Sequence, residues 1–382
     1  MRIDHPAARL RIACWAARAQ FFALGFVTGS WGVHIPTAKL HYGLDEARLS
    51  LVLLAVAGGA VLCLTQAGAV VSRLGARAVA LGAGFAMCAA LALVVTWESF
   101  AALIVLMLTF GAASALLDVA VNAEGTVLEA IGDKKVMSGF HAMFSVGGMA
   151  GAGAGALMIA ALVPPARQLA AMGATIAALI ALATVFMLPV HPKDPTRRSG
   201  YRLPRGALAI VGLLAAVGLL AEGAMYDWSV LYIKQETSAP AALAALGYVT
   251  FSAAMAAARF GGDWLRARIS PPRLLAASGV LAAVAMTLVL IIREPLVALL
   301  GFALVGVGFA NVVPILFMCA TRVPGVTGAT AIATVSSVGY LGFLAGPPLV
   351  GGIAQASSLT LALGVVVLGA LLLVWGARRI PM

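Results

Sequence analysis

The chain has 382 residues, of which 62% are hydrophobic and only 10% charged, and its formal net charge is +11. Soluble proteins are about 25% charged, so this composition cannot cover a soluble fold of such length and excludes a soluble enzyme, a disordered chain and a disulfide scaffold. What remains is an all-α polytopic membrane protein, since the strands of a membrane β-barrel alternate apolar and polar residues and the runs here are continuously apolar.

A helix needs about 20 apolar residues to cross the hydrocarbon layer. Spans are predicted over 14–36, 48–71, 77–96, 99–123, 136–162, 167–189, 207–233, 241–262, 273–292, 296–319, 327–355 and 358–377. The count is twelve transmembrane helices. Basic residues collect on cytoplasmic loops. With the N-terminus placed inside, only Lys39, Arg48, Arg167, Lys234 and Arg293 of the 25 Lys and Arg fall outside. Both termini are therefore expected in the cytoplasm, and the positive charge needs no nucleic-acid partner. Cys14, Cys63, Cys88 and Cys319 sit in or beside apolar runs without metal-ligand spacing, and they read as small buried hydrophobes. No cleavable signal peptide is expected at the start of the chain. The linker 190–206, with Pro192, Pro195 and Pro204, separates an N-terminal bundle (1–189) from a C-terminal one (207–382).

The two halves echo each other. Ser30-Trp31 answers Asp227-Trp228, the loop at 72–77 answers that at 263–268, and Ser145-Val146-Gly147 answers Ser337-Val338-Gly339. A duplication with both copies starting on one side gives two parallel six-helix bundles. In transporters built this way the solute site lies near the midplane at the repeat interface.

With these residues in place, the chain resembles the major facilitator superfamily along its whole length. Gly68, Arg73 and Gly75 match that superfamily's G-x-x-x-D-R-x-G-R loop, with Ser72 where the acid belongs and Arg77 one residue past the place of the last arginine; the second half keeps its acid as Asp263. The resemblance assigns Arg73, Arg77 and Asp263 to gating. Within the superfamily the chain is similar to the fucose–proton symporter branch. Phe21-Phe22-x-x-Gly25-Phe26, Leu117-Asp118-x-x-x-Asn122 and Ala221-Glu222 carry that likeness. The branch has a first-span aspartate where this chain reads Thr28-Gly29-Ser30-Trp31-Gly32. Asp227, at the place equivalent to Ser30, is a candidate to take over its role. A G-x-x-x-G-P-x-x-G-G signature in the fifth helix marks proton-coupled exporters. Here the proline form stands in the eleventh span, at Gly346-Pro347-Pro348, and the fifth has Gly151-Ala152.

A charge at the bilayer centre costs at least about 2.5–3.5 kcal/mol, so intramembrane acids mark function. Asp118 is the first candidate for the proton carrier, one turn from Asn122 on the same face; a fixed ion pair to Arg18 is the alternative. Glu222 and His141 are further candidates for proton coupling. For solute binding the candidates are Tyr226-Asp227-Trp228, Asn122, Asn311, Trp31, Ser30 and His34. An acid between two aromatics suits a sugar, whose C–H faces stack on rings while its hydroxyls meet the carboxylate; the same residues also suit an interfacial belt. Glu222 and Asp227 differ by roughly 140° around the helix, so they cannot share one narrow face. Gly147, Gly151 and Gly155, like Gly342 and Gly346, line one helix face and suit close packing.

These residues point to a proton-coupled secondary transporter of a small polar solute, a sugar or related compound, working by alternating access. A proton-driven exporter of drugs or metabolites is the alternative. A membrane-embedded enzyme is disfavoured, because no H-E-x-x-H occurs and Gly261-Gly262-Asp263 has no partner aspartate. No cofactor or metal is expected; the partners are the solute, protons and the lipid bilayer. The resemblance further implies a monomer in a bacterial inner membrane.

Overall fold

The computed structural model describes residues 7–132, 136–189, 205–324, 326 and 328–380. Among them every regular element is helical: α1 (Ala7–His41), α2 (Glu46–Leu74), α3 (Ala76–Leu93), α4 (Phe100–Gly132), α5 (Met137–Ala160), α6 (Pro165–Phe186), α7 (Ala207–Glu236), α8 (Ala241–Phe260), α9 (Gly262–Arg268), α10 (Pro271–Ile292), α11 (Pro295–Phe309), α12 (Val312–Ala320), α13 (Gly328–Ala356), α14 (Leu359–Ala362) and α15 (Gly364–Gly376). Twelve candidate membrane spans follow, with α11 and α12 forming the tenth. Large apolar side chains stand exposed on these helices, Leu62, Leu157, Ile291 and Leu300 among them. That suits a lipid solvent and would be an aggregation hazard in water.

Local chemistry sets several boundaries. Proline opens α6, α10 and α11, where its missing N–H costs nothing. The Glu294 carboxylate accepts from the Val297 amide at 3.0 Å at the start of α11, and the Ser358 hydroxyl accepts from Leu361 at 3.2 Å at the start of α14. The fourth span runs nine residues beyond its predicted end at 123, because its acids are used. Oε1 of Glu129 accepts from the amides of Val136 and Met137 at 2.7 and 2.9 Å, tying the end of α4 to the first turn of α5.

Contacts divide the chain into two units, Met1–Tyr42 with Ala55–Thr196, and Gly43–Leu54 with Arg197–Met382. In the first, α1 packs along α5, and α3 packs on α4 and α6. In the second, α7 packs along α13, and α10 packs on α11 and α15. Glycines seat equivalent crossings in both. A Cβ at Gly147 or Gly151 would run into the backbone of Phe22 or Phe26 on α1, and one at Gly342 into that of Ala216 on α7. The same helix pairs recur in each unit, as a duplicated chain requires. Most of the linker, 190–204, lies outside the described residues.

Candidate functional site

In the first unit Asp118 and Asn122 stand together, both half-buried on α4. Nδ2 of Asn122 donates to Oδ1 of Asp118 at 2.9 Å and to its backbone carbonyl at 2.8 Å. No cation pairs with Asp118 among the described residues. Arg18 instead lies over the Trp15 ring, 4.5 Å from its centroid. Asp118 is thus an intramembrane carboxyl whose hydrogen-bond partner is a neutral amide.

The remaining first-unit candidates are dispersed. Ser30 is fully buried, and its hydroxyl donates to the Phe26 carbonyl at 2.8 Å. Trp31 is buried against Phe110, ring centroids 6.3 Å apart. His34 is buried too, with Nδ1 3.4 Å from the Thr37 hydroxyl and Nε2 without a hydrogen-bond partner among the described residues. His141 is exposed and sets its ring edge-on to Phe21. Arg73 is exposed and Arg77 half-buried, flanking Gly75, whose φ of 84° turns the chain from α2 into α3.

Glu124 is a further acid of the fourth span, near the end of its apolar run. It is fully buried, and Oε1 accepts from the Leu188 amide at 2.7 Å, while Oε2 has no hydrogen-bond partner among the described residues. Arg77 lies within electrostatic reach of it. The loop that lacks an acid at Ser72 therefore has a carboxylate nearby, supplied by α4. The sequence marks Glu124 as an acid two residues past Asn122, but nothing in it points to the Leu188 amide as its partner.

In the second unit α7 and α8 build a denser cluster. Glu222 is buried and pairs with Arg259, Oε1 to Nη2 3.1 Å. Tyr226 stands one turn on, its ring 5.1 Å from Tyr248 and edge-on to Phe251 at 5.0 Å; its hydroxyl points to the Met255 sulfur at 3.7 Å. Asp227 is half-buried, with no hydrogen bond or ion pair among the described residues, and lies within electrostatic reach of Tyr248. Trp228 is wholly buried, its Nε1 without a hydrogen-bond partner among the described residues. Residues two apart on a helix sit roughly 200° apart, so Trp228 and Tyr226 face different ways. The aromatic neighbours of Tyr226 come from α8, Tyr248 and Phe251, which the sequence reading did not name.

Asn311 lies in the break between α11 and α12, where its Oδ1 accepts from Nη1 of Arg266 at 3.0 Å. Asp263 belongs to α9; its side chain lies outside the described residues.

A family model described as Major Facilitator Superfamily matches residues 18–347. The chain belongs to the Major Facilitator Superfamily. An uncharacterized MFS-type transporter of Yersinia pestis is 35% identical over 373 residues, 96% of this chain and 95% of that one. Membrane protein MosC of Rhizobium meliloti is 32% identical, covering 94% and 87%. Among solved structures, the nucleoside transporter NupG superposes with a TM-score of 0.74 at 14% identity over 96% of this chain and 97% of that one. A variant of the E. coli fucose:proton symporter FucP superposes with a TM-score of 0.64 at 18% identity over 97% and 98%. The twelve-helix fold is thus that of membrane transporters, and this superfamily member is a multi-pass membrane transporter of small solutes.

Proposed function

We propose that the protein is a proton-coupled secondary transporter of a small polar solute carrying a hydroxylated ring, a sugar or related organic compound. One observation carries the coupling: Asp118 is an intramembrane carboxyl without a cationic partner among the described residues, held by the Asn122 amide. Burial opposes its charge and a hydrogen bond to the charged form favours it. A carboxyl balanced in this way can take up and release a proton as its surroundings change. Glu222, by contrast, already has a counter-ion in Arg259.

The solute reading rests on the α7–α8 cluster. The Tyr226 ring stands beside Tyr248 and Phe251, and it is followed in sequence by Asp227, whose carboxyl has no hydrogen bond or ion pair among the described residues. An aromatic face beside a free carboxylate suits a ring with apolar faces and hydroxyl edges. FucP takes fucose and NupG nucleosides, by their names, and both solutes carry such a ring. Transport proceeds by alternating access, the proton biasing the equilibrium through its different affinity for the two states. The distribution of Lys and Arg supports an orientation with both termini on the cytoplasmic side.

The test is solute-induced proton movement in proteoliposomes, screening sugars, nucleosides and organic acids against the parent and Asp227→Asn. A solute that carries protons inward with the parent and binds weakly to the variant supports the reading. Proton release driven by cationic drugs, with no response to hydroxylated rings, replaces it with the exporter.

A further inference from the structure

The tenth span is broken for a reason that lies in its sequence. Pro314 is the third residue of α12. In a continuous helix the residue-314 amide would donate to the carbonyl of Ala310, and proline has no such N–H. The ladder on either side is intact: Ala310 N–H donates to Gly306 at 3.0 Å and Ile315 N–H to Asn311 at 3.0 Å. Ala310 is fully buried, so its freed carbonyl is poorly placed to meet water. It accepts instead from Nε of Arg259, at 3.3 Å.

That guanidinium is shared. Its Nη2 holds Glu222 of α7 at 3.1 Å. A second arginine, Arg266 of α9, binds the Asn311 side chain one residue along. A Cβ at Gly262 would collide with that Asn311 side chain, so α9 lies directly on the break. An acid on one helix and a backbone gap in another therefore meet on a single side chain.

We propose that Arg259 is a positioning residue that fixes the bend of the tenth span, and that the charge on Glu222 sets how firmly it does so. With Glu222 charged, the guanidinium is anchored at one end and satisfies Ala310 at the other. With Glu222 neutral, the anchor weakens, the half-exposed arginine is free to leave, and the Ala310–Pro314 segment opens. Among the described residues the titratable and charged groups around Glu222 are Arg259 and Tyr248 of α8 and Tyr226 of its own helix. The geometry stands independently of the proton-coupling reading, which rests on Asp118 and not on Glu222.

Hydrogen–deuterium exchange on the full chain in lipid nanodiscs tests this, followed in peptides covering 306–316. It needs neither solute nor gradient, so it can succeed or fail apart from the transport assay. Arg259→Gln is expected to speed exchange around the break about tenfold or more, since a hydrogen bond from a charged donor is lost at a buried acceptor. Glu222→Gln is expected to act in the same direction by a smaller factor. Pro314→Ala restores the helical donor to Ala310, so in that background Arg259→Gln is expected to change exchange less than about twofold. The Pro314→Ala background also provides a folded comparison should Arg259→Gln alone be unstable. An Arg259→Gln effect as large in the Pro314→Ala background as with the native proline would overturn the assignment. Parent-like exchange in Glu222→Gln would break the link to that acid.

Discussion

The α1–α5 crossing makes a prediction whose sign reverses within a single helix. At Gly151 an added Cβ would meet the Phe26 carbonyl oxygen, with the carbonyl carbon at 2.8 Å and Cα at 2.9 Å. Ordinary Cβ contacts start at 3.4 Å. The atoms met are backbone, so no rotamer change relieves the overlap, and the helices must part by about 1 Å or more to clear the carbonyl oxygen. Overpacking of this kind costs ~1–3 kcal/mol. Alanine recovers about 1 kcal/mol of helix propensity relative to glycine, so Gly151→Ala should destabilise by up to ~2 kcal/mol. Gly153, two residues away, has nothing within 4 Å of its Cβ position. Gly153→Ala should therefore gain stability from propensity alone. Gly342→Ala, at the α7–α13 crossing, should follow Gly151→Ala. Thermal unfolding midpoints in one detergent decide the matter. Equal shifts for Gly151→Ala and Gly153→Ala, in either direction, would show that the crossing is not limited by these contacts.

Two further substitutions probe the first unit. Glu124→Ala removes the acceptor of a buried amide and should cost ~1–3 kcal/mol, whereas Glu124→Gln keeps an oxygen for Leu188 and should lie closer to the parent; unfolding midpoints that rank the two in the opposite order contradict the contact. Gly75→Ala forces a side chain into the backbone with φ of 84° and should cost ~1–3 kcal/mol, read by the same measurement against Arg73→Ala, an exposed position expected to be close to neutral.

The span count was legible because it needs only run length against hydrocarbon thickness. Helix ends were not, since α1 and α4 continue past the apolar run wherever their polar residues have work to do. Glu129 shows why: its carboxylate serves amides of the next helix, seven and eight residues on. Asp118 and Asn122 were legible as a pair because they lie one turn apart on one helix. The aromatic group around Tyr226 was only half legible. Trp228 was adjacent in sequence but turns away, and Tyr248 and Phe251 arrive from another helix. Likewise Pro314 and Asn311 mark a disturbance in the tenth span, but the arginines that stabilise it lie 51 and 45 residues away in sequence. Tertiary partners of that kind leave no local pattern to read.

Proton coupling through Asp118 is decided by comparing proton-driven uptake with solute counterflow for Asp118→Asn, using a solute found with the parent protein. Asparagine keeps the shape and the contact with Asn122 but cannot exchange a proton. The account predicts that uptake driven by a pH gradient is lost while counterflow, which needs no net proton movement, persists. Gradient-driven uptake at the parental rate in Asp118→Asn would contradict it and move the proton to another carboxyl.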